Sequence, residues 1–81
     1  MTEEILSLIE SLSLIEKDLS IPKNVRGKVK NAISALEEQG MDNNVKVNKA
    51  LQELDEIADD PNIPSYVRPQ IWNIVSLLAG L

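Results

Sequence analysis

The sequence predicts an all-α protein, a four-helix up-and-down bundle built from two duplicated helical hairpins. Four stretches carry apolar residues at the i, i+3, i+4 and i+7 spacing of a helix face, and none shows the sustained alternation of a strand. A shift that lays Asp18 on Asp60 matches the two halves of the chain. Because the connecting segments are short, consecutive helices are expected to be antiparallel neighbours. An open stack of the two hairpins that dimerises is the alternative.

The length of 81 residues fits a single helical domain, residues 1–81, with repeat one at 1–41 and repeat two at 42–81. Apolar residues make up 43% of the chain, which is enough for a compact core. Trp72 and Tyr66 are its only aromatic residues. The core is therefore expected to be aliphatic.

Helix one is expected from about Glu3 to Lys17. Thr2 is a suitable N-cap, and Met1 is placed to pack on Leu6 as a hydrophobic staple. The apolar face of this helix consists of Ile5, Leu8, Ile9, Leu12 and Ile15.

Helices two and three are predicted on either side of Gly40. Pro22 suits the first turn of helix two, and Gly40 suits the left-handed position that ends a helix in a Schellman motif. Asp42 is then an N-cap for helix three, which should end at Asp59–Pro61. The two apolar faces consist of Val25, Val29, Ala32, Ile33 and Leu36, and of Val47, Ala50, Leu51, Leu54, Ile57 and Ala58.

Helix four is expected from about Pro64 to Ala79. Proline in a helix interior costs about 3 kcal/mol, so Pro69 is expected in the first turns or at a kink. The main apolar stripe consists of Val67, Ile71, Ile74, Val75 and Leu78.

The duplication is clearest around the two hairpin turns. Identities at this shift include Asp18 with Asp60, Pro22 with Pro64, and Arg26 with Arg68. We expect each arginine to reach back to its aspartate or to nearby carbonyls and so to staple the turn between two helices. The staple residues are thus Asp18, Arg26, Asp60 and Arg68.

Composition narrows the possible chemistry. With no cysteine and no histidine, the chain lacks thiolate and imidazole ligands and the commonest general base, so no catalytic, cofactor-binding or metal-binding residue is assigned. The net charge of −5 makes broad nucleic-acid or membrane binding unlikely. We expect a cytoplasmic protein that is not an enzyme. An acidic cluster at the end of helix three is interpreted as solvated surface: Glu53, Asp55, Glu56, Asp59 and Asp60.

Helix four carries more apolar surface than one neighbour can cover. It lies either between several helices of its own bundle or partly in an interface with a partner or a second copy. Arg68, one turn before Trp72, could instead shield the indole by stacking on it. The candidate interaction surface consists of Trp72, Leu77, Leu81, Leu6 and Leu14.

These observations favour a non-enzymatic protein-interaction module, either homo-oligomeric or an adaptor for another protein. The alternative is a weak RNA- or DNA-associated accessory protein that uses a basic patch on helix two. Its candidate phosphate contacts are Lys23, Arg26, Lys28 and Lys30.

Two stretches of the sequence resemble known families. The residues IPKNVR at 21–26 and DEIADDPNIPSYVRPQIWNIVSLL at 55–78 are similar to an uncharacterised family of short acidic archaeal proteins of unknown function. That resemblance implies an all-helical bundle in an archaeal cytoplasm, and it brings no activity, cofactor or catalytic residue to carry over to this chain. The hairpins also resemble HEAT-like repeats, so the alternative to the bundle is a two-unit HEAT-like stack.

Overall fold

The chain forms four α-helices: α1 (Glu3–Glu16), α2 (Lys23–Glu37), α3 (Asn43–Ala58) and α4 (Val67–Ala79). The computed structural model describes residues 3–81, and within that range no residue belongs to a strand. The predicted N-cap Thr2 and the predicted staple residue Met1 lie outside the described residues. Each helix of this part of the chain is too short or too polar to span a lipid bilayer.

The helices pack as a closed ring in which each contacts two neighbours. α1 packs on α2, α2 on α3, α3 on α4, and α4 returns to α1, while among the described residues the diagonal pairs have no Cα atoms within 8 Å of one another. This is the arrangement of the predicted up-and-down bundle, since a stack of two hairpins would pair α1 with α3. The α2–α3 pair has the most extensive packing and the α1–α4 pair the least.

The core is aliphatic, as predicted, and the two repeats contribute to it from matching positions. Leu12 and Leu54 are both fully buried, and so are Val25 and Val67. The pattern of burial therefore repeats from one hairpin to the other. The remaining matched pairs with both members buried are Leu8 and Ala50, Ile15 and Ile57, Ile21 and Ile63, Val29 and Ile71, Ala32 and Ile74, and Leu36 and Leu78.

The predicted ends of α2 need correction. Pro22 is the N-cap residue and lies just before the helix, where its carbonyl accepts from the N–H groups of Val25 and Arg26. The helix ends at Glu37, because the next residue, Glu38, has an extended ψ of 132°. Gly40 has a φ of +77°, as expected for a left-handed position, but it lies within the loop and not directly after the helix.

Two other boundaries also differ from those predicted. α1 ends at Glu16, one residue before the predicted Lys17. α4 begins at Val67 instead of Pro64, because residues 64–66 form a turn closed by a 3.0 Å hydrogen bond from the Val67 N–H to the Pro64 carbonyl. Pro69 then lies in the first turn of α4, where its missing N–H has no partner within the helix.

Arg26 and Arg68 both donate to backbone carbonyls near the turn that precedes their helix. Arg26 donates from Nε to the carbonyl of Ile21 at 3.0 Å. Arg68 donates from Nε to the carbonyl of Ala58 at 3.0 Å and from Nη2 to that of Asp60 at 3.2 Å. A guanidinium group can hold several carbonyls because it is planar and has multiple donors. Arg26 therefore ties the start of α2 to the loop before it, and Arg68 ties the start of α4 to the end of α3 and the loop after it.

Substitution of Gly27 in α2 and of Gly40 in the loop after it should have opposite effects on stability. In Gly27→Ala, the added Cβ meets no atom within 4 Å inside a helix, so the free energy of unfolding should rise by about 0.5–1 kcal/mol. Gly40→Ala also has open space, but its φ of +77° strains any L side chain, so this matched variant should lower stability. Urea unfolding of both proteins checks the prediction, and equal effects of the two substitutions would contradict it.

Candidate functional site

The contact of α1 with α4 and the contact of α2 with α3 are related by the duplication but differ in their side chains. The shift between repeats places α1 on α3 and α2 on α4, so the contact of α1 with α4 corresponds to the contact of α3 with α2. We call these contacts the α1–α4 seam and the α2–α3 seam. Any difference between them arises from residues that changed after the sequence was duplicated.

Small buried side chains and a surface ion pair occupy the α2–α3 seam. Ala32, Ala35 and Ala50 are buried, and small residues let two helix backbones approach closely. On the surface, Lys28 Nζ lies 3.9 Å from Glu56 Oε2 and bridges the two helices. Side chains of both helices also line one hollow of about 350 Å³ on this seam, and its charged residues are Glu38, Lys49 and Glu53.

Larger and uncharged side chains occupy the corresponding positions of the α1–α4 seam. Ile74, Leu77 and Leu8 stand where the other seam has Ala32, Ala35 and Ala50. Gln70 and Leu14 stand where it has the Lys28–Glu56 ion pair, and neither can form such a pair. The packing of α1 on α4 is also less extensive than that of α2 on α3.

Two surface hollows follow the α1–α4 seam. The first has a volume of about 280 Å³ and lies at the end of the bundle where the first and third loops meet. Its lining consists of Ser11, Leu14, Ile15, Asp18, Tyr66, Gln70, Asn73 and Ile74. The second has a volume of about 390 Å³, lies toward the opposite end, and is lined by Glu3, Glu4, Ser7, Leu8, Leu77 and Leu81.

The two hollows combine exposed leucines with acidic groups. Leu14 is 72% exposed, and Leu77 and Leu81 are 53% and 51% exposed. Among the residues that line the hollows in the described part of the chain, those with a charge are all acidic: Glu3, Glu4 and Asp18. The surface thus presents apolar side chains between negative charges.

Asp18 is held in place by hydroxyl groups from both loops at this end of the bundle. Ser20 donates to Asp18 Oδ1 from its backbone N–H at 3.0 Å and from its hydroxyl at 2.6 Å. Tyr66 donates its hydroxyl to Asp18 Oδ2 at 2.5 Å, and the two hydroxyl oxygens are 2.7 Å apart. The Ser20 hydroxyl first and the Tyr66 hydroxyl second lower the pKa of Asp18 below its ordinary 3.8, with a smaller contribution from the Arg26 charge.

The structure divides the five predicted surface residues among different flanks of the bundle. Leu14, Leu77 and Leu81 line the α1–α4 seam. Trp72 is half-exposed but lies five residues from Leu77, which places it about 140° away around the α4 axis. Leu6 is half-exposed and lines neither hollow. Only three of the five therefore share one surface.

The predicted basic residues also do not form one patch. Lys28 pairs with Glu56 at the α2–α3 seam, about 160° around α2 from Arg26. The Arg26 guanidinium is bonded to a carbonyl. Lys23 and Lys30 remain together as exposed cations on the Arg26 side of the helix.

The acidic residues at the end of α3 have structural roles where the structure shows a contact. Asp60 accepts from the N–H of Asn62 at 2.8 Å, and Glu56 pairs with Lys28. Within residues 3–81, no three carboxylates come together as a group that could hold a metal ion.

Several residues of the seam were not predicted from the sequence. Tyr66, Ser20 and Gln70 have no apolar or charged pattern that marks them. A signal was nevertheless present, because each differs from its partner at the repeat shift: Tyr66 from Asn24, Ser20 from Asn62, and Gln70 from Lys28. Residues that break an internal symmetry point to the side of the molecule on which the two repeats differ.

The chain is similar to proteins of one family. A family model described as an uncharacterised protein family, UPF0147, matches residues 1–81. A UPF0147 protein of Metallosphaera sedula is 40% identical over 67 residues, which cover 83% of this chain and 75% of that protein. The UPF0147 protein MJ1419 of Methanocaldococcus jannaschii is 40% identical over 77 residues, which cover 94% of this chain and 83% of that protein.

A solved structure has the same fold. It is titled "Crystal structure of unknown function protein MMP1188", and its TM-score to this chain is 0.93 at 35% sequence identity. The alignment covers 98% of this chain and 90% of that one. The four-helix arrangement described above is therefore shared with that protein.

Substitution of Tyr66 by phenylalanine should raise the pKa of Asp18 toward 3.8, because it removes one of the two hydroxyl donors to the carboxylate. A lowered pKa stabilises the folded state at pH values above 3.8, and this contribution is lost as the pH falls through the folded-state pKa. Tyr66→Phe should therefore be less stable than wild type at pH values above 3.8. The two proteins should be nearly equal in stability at pH values below the folded-state pKa of Asp18.

Carbon-13 NMR titration of the Asp18 carboxyl group checks the prediction. Ser20→Ala is the matched variant and should raise the pKa more, since the Ser20 hydroxyl has the larger effect. An unchanged Asp18 pKa in both variants would show that the hydroxyl groups do not stabilise the carboxylate.

Proposed function

The chain belongs to the uncharacterised protein family UPF0147, and we propose that it is a non-enzymatic protein-interaction module that binds its partner along the α1–α4 seam. The observation that carries this proposal is the difference between two seams related by duplication. The α2–α3 seam has buried alanines, an ion pair and one hollow with charges of both signs. The α1–α4 seam exposes Leu14, Leu77 and Leu81 beside two hollows whose charged residues are all acidic.

Exposed leucines favour binding to a protein over catalysis. Transfer of apolar surface out of water is worth about 25 cal/mol per Å², so side chains exposed by half or more offer free energy that the isolated chain does not use. The other groups that line the seam are hydroxyls, amides and carboxylates, which suit the polar rim of an interface. The proposed setting is the cytoplasm, as the resemblance to short archaeal proteins implies.

Photo-crosslinking from single positions tests the proposal. Benzoylphenylalanine placed at Leu14 or Leu77 should form adducts with a protein in a lysate of Saccharolobus islandicus, which has a relative 39% identical to this chain. The same group at Leu6 is the matched control, because Leu6 is half-exposed but lies outside the seam. The partner is then identified by mass spectrometry and its binding repeated with purified protein.

The positions from which adducts form decide whether the crosslinking supports the proposal. Adducts from the seam positions alone, with a partner that binds again when purified, support the proposal. Equal labelling from Leu6 would contradict it, and adducts to nucleic acid would favour the accessory role at DNA or RNA instead.

Light scattering distinguishes an external partner from a second copy. Wild type, Trp72→Ala and the double variant Leu14→Ser/Leu77→Ser should all have the mass of one chain over a wide concentration range. Copies of a chain with a net charge of −5 repel one another, and the seam itself is acidic. A wild-type dimer that only the double variant dissociates would identify a second copy as the partner, and one that only Trp72→Ala dissociates would move the interface away from the seam.

A further inference from the structure

We infer that the α1–α4 seam binds a basic amphipathic α-helix, which lies along the seam as a fifth helix of the bundle. This inference rests on the proposed function and specifies the chemistry of the partner. The length of the seam, the positions of its leucines and the sign of its charges support it.

The seam has the shape that a helix needs. The two hollows follow one another from the first and third loops toward the start of α1. α1 has 14 residues, which corresponds to about 21 Å of helix. A partner helix of about the same length, close to four turns, could contact the whole seam.

The exposed leucines are distributed along the seam. Leu14 lies near the end where Asp18 and Tyr66 meet, and Leu77 and Leu81 lie near the other end. Leu77 belongs to α4 and Leu81 lies two residues after its end, and both line the second hollow. A partner helix with apolar residues at i, i+3 or i+4, and i+7 would place side chains against both groups.

The charges of the seam select a basic partner. Asp18 lies at one end and Glu3 and Glu4 at the other, and no cation is among the described residues that line the hollows. Hydrogen bonds from Ser20 and Tyr66 keep the Asp18 carboxylate ionised and fixed in position. Lysine or arginine at both ends of the partner helix would complement these charges, whereas a second copy of the chain or a nucleic acid would bring further negative charge to them.

A designed peptide tests the inference. The probe is a 14-residue helical peptide with leucines on one face and lysines on its flanks, labelled for fluorescence anisotropy, with about the length argued above. One control peptide has glutamate in place of each lysine, and another has the same composition without the amphipathic order. The basic amphipathic peptide should bind more tightly than both, and its affinity should fall as salt is added.

Variants of the protein locate the binding surface. Leu14→Ser and Leu77→Ser should each weaken binding by about tenfold, because each removes an apolar contact. The double variant Glu3→Gln/Glu4→Gln should weaken binding of the basic peptide and leave binding of the glutamate peptide unchanged. Leu6→Ser is the matched control and should bind as wild type does. Circular dichroism confirms that each variant is folded, and NMR shift changes should lie on α1 and α4.

Two results would overturn the inference. One is equal binding of the lysine and glutamate peptides, and the other is a lack of saturable binding at millimolar peptide with all proteins folded. If crosslinking from Leu14 still identifies a protein partner, the proposed interaction role stands and only the basic helix is excluded. If neither experiment places a ligand on the seam, the proposed function fails as well.

Discussion

The structure depends on the burial of one aliphatic stripe from each of four helices in a common core. None of these stripes could remain buried in an isolated helix, and the chain has one tryptophan, one tyrosine and no disulfide to stabilise a smaller unit. Closing the ring from α1 to α4 is what covers all four stripes at once. The loops, the arginine staples and the surface all follow from the need to hold this ring closed.

Duplication supplies the core economically, because the same positions in each hairpin face inward. Leu12 and Leu54, Val25 and Val67, and Leu36 and Leu78 are equally buried. The staples Arg26 and Arg68 likewise repeat, although they select different carbonyls. Symmetry of this kind would produce two equal seams. The seams differ because the α2–α3 seam has alanines and an ion pair where the α1–α4 seam has leucines, an isoleucine and a glutamine.

The polar network at one end of the bundle connects stability to the candidate site. Tyr66 belongs to the third loop and Asp18 to the first, so their hydrogen bond joins the two hairpins across the less extensively packed seam. The same bond holds a carboxylate at the edge of the first hollow. A group that stabilises the weaker side of the fold therefore also determines the charge that a partner would meet there.

The sequence alone determined the helical class, the repeat, the aliphatic core and the role of Asp42 as an N-cap, because each depends on local spacing or composition. Local patterns were less reliable at helix ends: Gly40 has the predicted left-handed φ, but the chain had already left α2 at Glu38. Only the tertiary structure showed that Leu14, Leu77 and Leu81 share a surface from which Trp72 and Leu6 are absent. Which exposed side chains lie together depends on how α1 and α4 pack on each other, and that packing involves side chains remote from one another in the sequence.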